Sequence, residues 1–253
     1  MTRRPVRAMI VVSSLLFLSG SSWLVDAQQP RPSDAAPPSS ESKPIDVSRF
    51  EDQIRAFERA DEKNPPPKGA VLFTGSSSVK LWHKELQKDF EGLKVLGRGF
   101  GGSTMPELLH FMDRIVIKYE PRAVVVYEGD NDLSIGRNVE QLMSDYRKFA
   151  RKMKKQLPDC RVYVLAIKPS PSRQKLWDSA KEANDRLKSW CDGRKNWIFV
   201  DVASPMLDEN GAPKADLFLK DKLHMNRAGY DLWKETLKPF LIKSKSDSDL
   251  VTR

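Results

Sequence analysis

The amino-acid sequence predicts an α/β fold, a three-layer α/β/α sandwich around a five-stranded parallel sheet, and three observations point there. Five short, β-rich apolar runs are separated by stretches whose apolar residues recur every three or four positions, so strands alternate with helices. Alternation of this kind builds βαβ units, whose right-handed crossovers put helices on both faces of one sheet. The strand-like runs are predominantly apolar rather than apolar at every second residue, the pattern of strands covered on both sides. With 253 residues, 40% of them hydrophobic, the chain can bury one sizeable core, and a single domain is the expectation.

That domain does not include the first residues. Arg3, Arg4 and Arg7 make a basic start, Ala8 to Leu18 is an apolar run too short to span a bilayer comfortably, and Val25-Asp26-Ala27 resembles a small-residue cleavage site. Residues 1–27 therefore read as a secretory signal peptide, with an uncleaved anchor as the alternative. The expected destination is the periplasm or the extracellular space, with no stable membrane span once the signal is cut. No cysteine precedes residue 160, so no thiol is placed to carry a lipid anchor. Residues 28–46 are rich in Pro and Ser and poor in apolar side chains, the composition of a disordered linker. The domain is expected over 47–242 and a polar, frayed tail over 243–253.

The formal charge of +9 falls to +7 when the three arginines and Asp26 leave with the signal. Basic proteins favour anionic neighbours. The densest cluster, Arg147 to Lys155, carries Phe149, Met153 and Leu157 at helical spacing, which is the solvated face of an amphipathic helix. Export argues against nucleic acid, as does the lack of stacking aromatics along any basic stretch.

Taken in order, Val47, Phe50, Ile54 and Phe57 mark a helix that ends near Asn64, ahead of Pro65-Pro66-Pro67. The five strand-like runs are Ala70 to Phe73, Lys94 to Leu96, Ala123 to Tyr127, Val162 to Ile167 and Trp197 to Val202. Between them, Met105, Leu108, Leu109, Met112, Ile115 and Val116 share one helical stripe, and Val139 to Leu157 and Gln174 to Trp190 repeat the pattern. A closing helix is expected from about Asn226 to Leu241. Five such strands suit the flavodoxin-like order 2-1-3-4-5. In that topology Cys160, just before a strand, and Cys191, at a helix end, share the amino edge of the sheet. A bond between them would stabilise by about 3 to 4 kcal/mol, and two buried free thiols are the alternative.

Ligands in open α/β sheets bind beyond the carboxyl ends of the strands. After the first strand comes Gly75-Ser76-Ser77-Ser78; after the second, Gly97-Arg98-Gly99-Phe100-Gly101-Gly102-Ser103; after the third, Glu128-Gly129-Asp130-Asn131-Asp132. The loop ahead of the last helix holds Asp221-Lys222-Leu223-His224. Together these supply what acyl transfer needs: a hydroxyl nucleophile, an imidazole to take its proton, a carboxylate to fix the tautomer, and donors aimed at an oxyanion. Of three histidines, His83 and His110 lie in or beside helical stretches, outside any Asp-x-x-His loop, which leaves His224 as the candidate base. The run Gly97, Gly99, Gly102 also fits a dinucleotide fingerprint, but it follows the second strand rather than the first. No His, Cys or carboxylate cluster has metal-ligand spacing, so neither a metal nor another cofactor is expected.

These four blocks, in this order, resemble the SGNH (GDSL-type) hydrolase family of esterases and lipases over roughly Gly69 to Phe240. The resemblance implies a catalytic Ser77, a base His224 oriented by Asp221, and an oxyanion hole made by the Ser77 and Gly102 backbone N–H groups and the Asn131 side chain. Two positions depart from the family pattern: Ser76 stands where an Asp precedes the nucleophile, and Gly97 where Asn is common. The implied activity is hydrolysis of short-chain acyl esters by an exported serine esterase, with O-acetyl groups on polysaccharide favoured as substrate. Arg98, Phe100, Glu128 and Lys168 are expected as rim contacts. The alternatives are a lysophospholipase- or thioesterase-type lipid acyl hydrolase, and an inactive carbohydrate-binding envelope module on the same fold.

Overall fold

The computed structural model describes residues 46–249, with side chains up to residue 242. The expected signal peptide and all but the last residue of the expected linker lie outside the described residues.

Five parallel strands, β1 (Val71–Gly75), β2 (Val95–Gly99), β3 (Ala123–Tyr127), β4 (Arg161–Leu165) and β5 (Trp197–Val200), pair in the order β2-β1-β3-β4-β5, as the sequence predicts. β1 and β3 are buried at every residue, which is why their sequences are apolar without alternation. Successive side chains still point to opposite faces. Leu72, Val124, Val126, Val162 and Val164 face a layer made of α1 (Glu51–Lys63), α4 (Met105–Ile115), α6 (Val139–Gln156) and α7 (Trp177–Asp192). Val71, Phe73, Val125, Tyr127, Tyr163 and Leu165 face α2 (Ser77–Trp82), α3 (Leu86–Asp89) and α8 (Arg227–Asp249). A short α5 (Asp130–Ser134) follows β3.

Register fixes the carboxyl edge. Gly75 of β1 lies opposite Gly99 of β2 and Tyr127 of β3, so the three loops that follow leave the sheet at one level. The second face is anchored by aromatic packing: Trp82 meets Phe73, Phe90, Tyr230 and Trp233 with centroids 5.4 to 6.0 Å apart. Burying each such ring contributes about 2 to 3 kcal/mol. Tyr230 also donates its hydroxyl to the Ser78 carbonyl at 2.9 Å, fastening α8 to α2.

Several boundaries differ from expectation for local reasons. β2 runs through Gly97 and Gly99, which read as a loop, because neither position has room for a side chain: a Cβ at Gly97 would strike the His83 ring, and one at Gly99 would sit 2.6 Å from the Lys80 nitrogen. The helix expected from Gln174 opens instead as a 3-10 segment, Pro171–Leu176, in which Arg173 leaves helical angles (φ −117, ψ 24). α8 continues to Asp249, past the expected start of the frayed tail; neither Gly nor Pro intervenes after Pro239.

Cys160 and Cys191 are buried free thiols, the alternative the sequence left open to a bond, and burial pushes both up to about 12. Cys160 lines a cavity of about 590 Å³ at the amino edge, with Arg151, Lys154, Arg194 and Lys195 around it. Lys154, Arg194 and Lys195 sit at or just beyond the carboxyl ends of α6 and α7, where helix dipoles favour positive charge. Among the described residues, no helix is long and apolar enough to cross a membrane.

Candidate active site

The serine cluster resolves into three environments. Gly75 has φ +127 and faces the Tyr127 carbonyl so closely that any side chain would collide with it. The chain therefore turns sharply there, Ser76 becomes the extended N-cap of α2, and Ser77 is its first residue. Ser76 and Ser78 are buried, and Ser77 alone of the three is partly open. The Ser76 hydroxyl, standing where the family pattern has an acidic group, has no hydrogen-bond partner among the described residues.

His224 arrives from the loop before α8. Its Nε2 lies 2.9 Å from Ser77 Oγ, and its Nδ1 lies 2.6 Å from Asp221 Oδ2. The other Asp221 oxygen accepts the backbone N–H groups of Leu223 and His224, both at 2.9 Å. The imidazole contact and these two N–H groups hold the carboxyl down at about 2. Lys222 between them takes a left-handed φ of +58, which folds the Asp-x-x-His segment back on itself.

Asn131 sits in the first turn of α5. Its Nδ2 donates to the Ser103 carbonyl at 2.9 Å, and its Oδ1 accepts from Arg173 at 2.9 Å. Gly102, immediately before Ser103, has φ +82 and open space around its Cα. Among the described residues, neither the Ser77 nor the Gly102 N–H finds an acceptor. The structure thus brings Ser77, Asp221 and His224 into one hydrogen-bonded row, with Gly102 and Asn131 linked to each other through Ser103.

The expected rim contacts are not at the rim. Phe100 is fully buried and packs edge-on against Phe50 and Phe111. Arg98 is buried beneath Phe57, ion-paired to Asp61 and bonded to the Tyr119 hydroxyl at 2.8 Å. Glu128 is buried and accepts the Ser103 hydroxyl at 2.5 Å; burial, followed by the nearby charge of Asp132, raises it well above the usual carboxylate range. Lys168 is buried 3.2 Å from Asp130. Phe100, Glu128 and Lys168 follow strands as expected and Arg98 lies within β2, but all four side chains turn into the layers instead of outward.

The sequence model of the GDSL-like lipase/acylhydrolase family matches residues 68–232, which span all four loops. The chain belongs to the GDSL-like lipase/acylhydrolase family. It is an ester-hydrolysing enzyme by that membership. Its fold is shared with a Streptococcus pneumonia structure provisionally named a platelet activating factor, at 20% identity and TM-score 0.68, covering 77% of this chain and 94% of the other. It is shared likewise with a GDSL-like lipase from Bacteroides thetaiotaomicron, at 23% identity and TM-score 0.64, over 79% and 98%. An acetyl-xylooligosaccharide esterase from Geobacillus matches at 15% identity and TM-score 0.56, over 68% and 94%. No curated protein matches the chain in sequence.

Within this GDSL-type site one cation escaped the sequence reading. Arg173 reaches Asn131 and lies 3.1 Å from Asp130 Oδ2, from a position just ahead of the helix expected at Gln174. Pro169 and Pro171 on either side of Ser170 were the available sign that this stretch is not helical. Burial alone would raise Asp130, but Lys168 and Arg173 outweigh it and bring the carboxyl below its ordinary value. Among the described residues, no group of three or more His, Cys, Asp or Glu is arranged to hold a metal ion.

Proposed function

We propose that this family member is an exported serine esterase that releases short acyl groups, chiefly O-acetyl groups from polysaccharide, through Ser77, His224 and Asp221. What supports the reading is the row of contacts from Asp221 through His224 to Ser77, at 2.6 and 2.9 Å. Ser77 Oγ attacks the ester carbonyl carbon while His224 Nε2 takes its proton. The carbonyl oxygen, now negative, faces the N–H groups of Ser77 and Gly102 and the Asn131 amide. As the C–O bond breaks, His224 returns the proton to the departing alkoxide. Water then attacks the acyl-serine, giving its proton to His224, and Ser77 recovers it as the acid leaves. Asp221 stays ionised throughout and stabilises the imidazolium.

Carbohydrate acetyl esters are favoured because one structural neighbour acts as an acetyl-xylooligosaccharide esterase, and because the N-terminal sequence reads as an export signal. Ile135, one turn after Asn131, and Leu219, whose N–H bonds the His224 carbonyl at 2.8 Å, are exposed and favour a second reading in which longer acyl chains are taken. Nitrophenyl esters from acetate to decanoate separate the two: activity concentrated at acetate supports the first, and a maximum at eight or more carbons the second, by an order-of-magnitude preference. Wild-type rates in Ser77→Ala would remove the esterase mechanism. Export is checked by the N-terminus of protein recovered outside the cytoplasm, expected at Gln28.

A further inference from the structure

We propose that Arg173 is a positioning residue that fixes which way the Asn131 amide faces; this rests on the proposed oxyanion role of Asn131. A guanidinium has donors and no acceptor, so the Asn131 atom that meets it at 2.9 Å is Oδ1. The amide nitrogen is thereby turned to the opposite side, where one hydrogen goes to the Ser103 carbonyl at 2.9 Å. Its second hydrogen is left for an oxyanion beside Gly102. Without Arg173, only the Ser103 carbonyl opposes the half-turn that would present the oxygen, an acceptor that repels developing negative charge.

Arg173 is itself firmly held. Its Nη1 makes no hydrogen bond among the described residues but is ion-paired at 3.1 Å with Asp130 Oδ2, a carboxylate shared with buried Lys168, and its backbone N–H bonds the Ser170 carbonyl at 3.0 Å. The neighbouring Ser172 N–H bonds the Lys222 carbonyl at 3.0 Å, inside the Asp221 to His224 turn. The 3-10 segment therefore spans the oxyanion side and the base side of one site. Its departure from helical angles at Arg173 is what aims the guanidinium across.

The test is a double-mutant cycle in the full chain, with kcat and KM for nitrophenyl acetate measured in the wild type, Arg173→Ala, Asn131→Ala and the pair. Loss of one oxyanion donor typically costs 10²- to 10³-fold, so Arg173→Ala is expected to lower kcat by about 10- to 100-fold with KM within about twofold. In the Asn131→Ala background the same change is expected to cost less than about twofold, because the group it positions is gone. Arg173→Lys keeps the charge on Asp130 without the planar fork, and is expected to recover only part of the loss; it replaces the alanine variant in the cycle if that one does not fold. Equal fold-losses in both backgrounds, or unchanged kcat in Arg173→Ala, would overturn the proposal. Full activity in Ser77→Ala sinks the catalytic reading itself, whereas a dead Ser77→Ala beside an unimpaired Arg173→Ala sinks only the inference.

Discussion

His83 accepts the N–H of Gly99 through Nε2 at 2.9 Å, so a half-buried imidazole stands in for a hydrogen-bond partner on the outer edge of β2. The same ring occupies the space a side chain at position 97 would need, which accounts for glycine where the family more often has Asn. To accept that bond the imidazole must be neutral, and burial, with the charges of Arg98 and Lys80, lowers it from 6.5 to about 4.

That relationship predicts an acid sensitivity. The unfolded chain protonates His83 near pH 6.5 and the folded chain only near 4, so the contribution is complete above 6.5 and is lost as pH falls between the two values. The full effect is about 3 kcal/mol. Chemical denaturation at pH 7 and pH 4 is expected to show a smaller drop for His83→Gln than for the wild type; equal drops would assign the sensitivity elsewhere.

Asp221→Asn keeps the shape of the base loop but inverts the hydrogen-bonding sense toward Nδ1. A fall in kcat of about 10³- to 10⁴-fold is expected, with KM little changed. Since Asp221 is held at about 2, it remains ionised across the working range, and any acid limb in the rate profile above pH 4 belongs to another group. An acid limb unaltered in position by Asp221→Glu is the corresponding check.

Gly75→Ala tests the turn that delivers the nucleophile. The new methyl meets the Tyr127 carbonyl at a φ of +127, so a loss of more than 4 kcal/mol or outright misfolding is expected. Gly92→Ala, at φ +82 with nothing within 4 Å of the added Cβ, is the control and should cost about 1 kcal/mol. Comparable melting temperatures for the two variants would show that the turn adapts.

Sheet order and the four loops were legible because they follow from periodicity and chain order: an apolar run ending in glycine and polar residues places those residues at the carboxyl edge whatever the details. Choosing Ser77 among three serines needed the family resemblance, and exposure now separates it from buried Ser76 and Ser78. What the sequence could not carry was the direction of side chains after the strands. Arg98 and Glu128 look like rim residues by position, yet the partners that draw them inward, Asp61, Tyr119 and Ser103, come from elsewhere in the chain. Arg173 was hidden for the same reason, its two partners lying in the turn after β3.

Ser77 and His224 stand 147 positions apart, and Tyr230 of the closing helix is bonded to the carbonyl of Ser78. Contacts of such long range form late, after the intervening chain has collapsed. On the proposed mechanism, a growing polypeptide can complete all five strands and still lack its proton acceptor, so a nascent or truncated chain is expected to be inert toward esters. Under that proposal, the appearance of activity would report that the closing segment has docked.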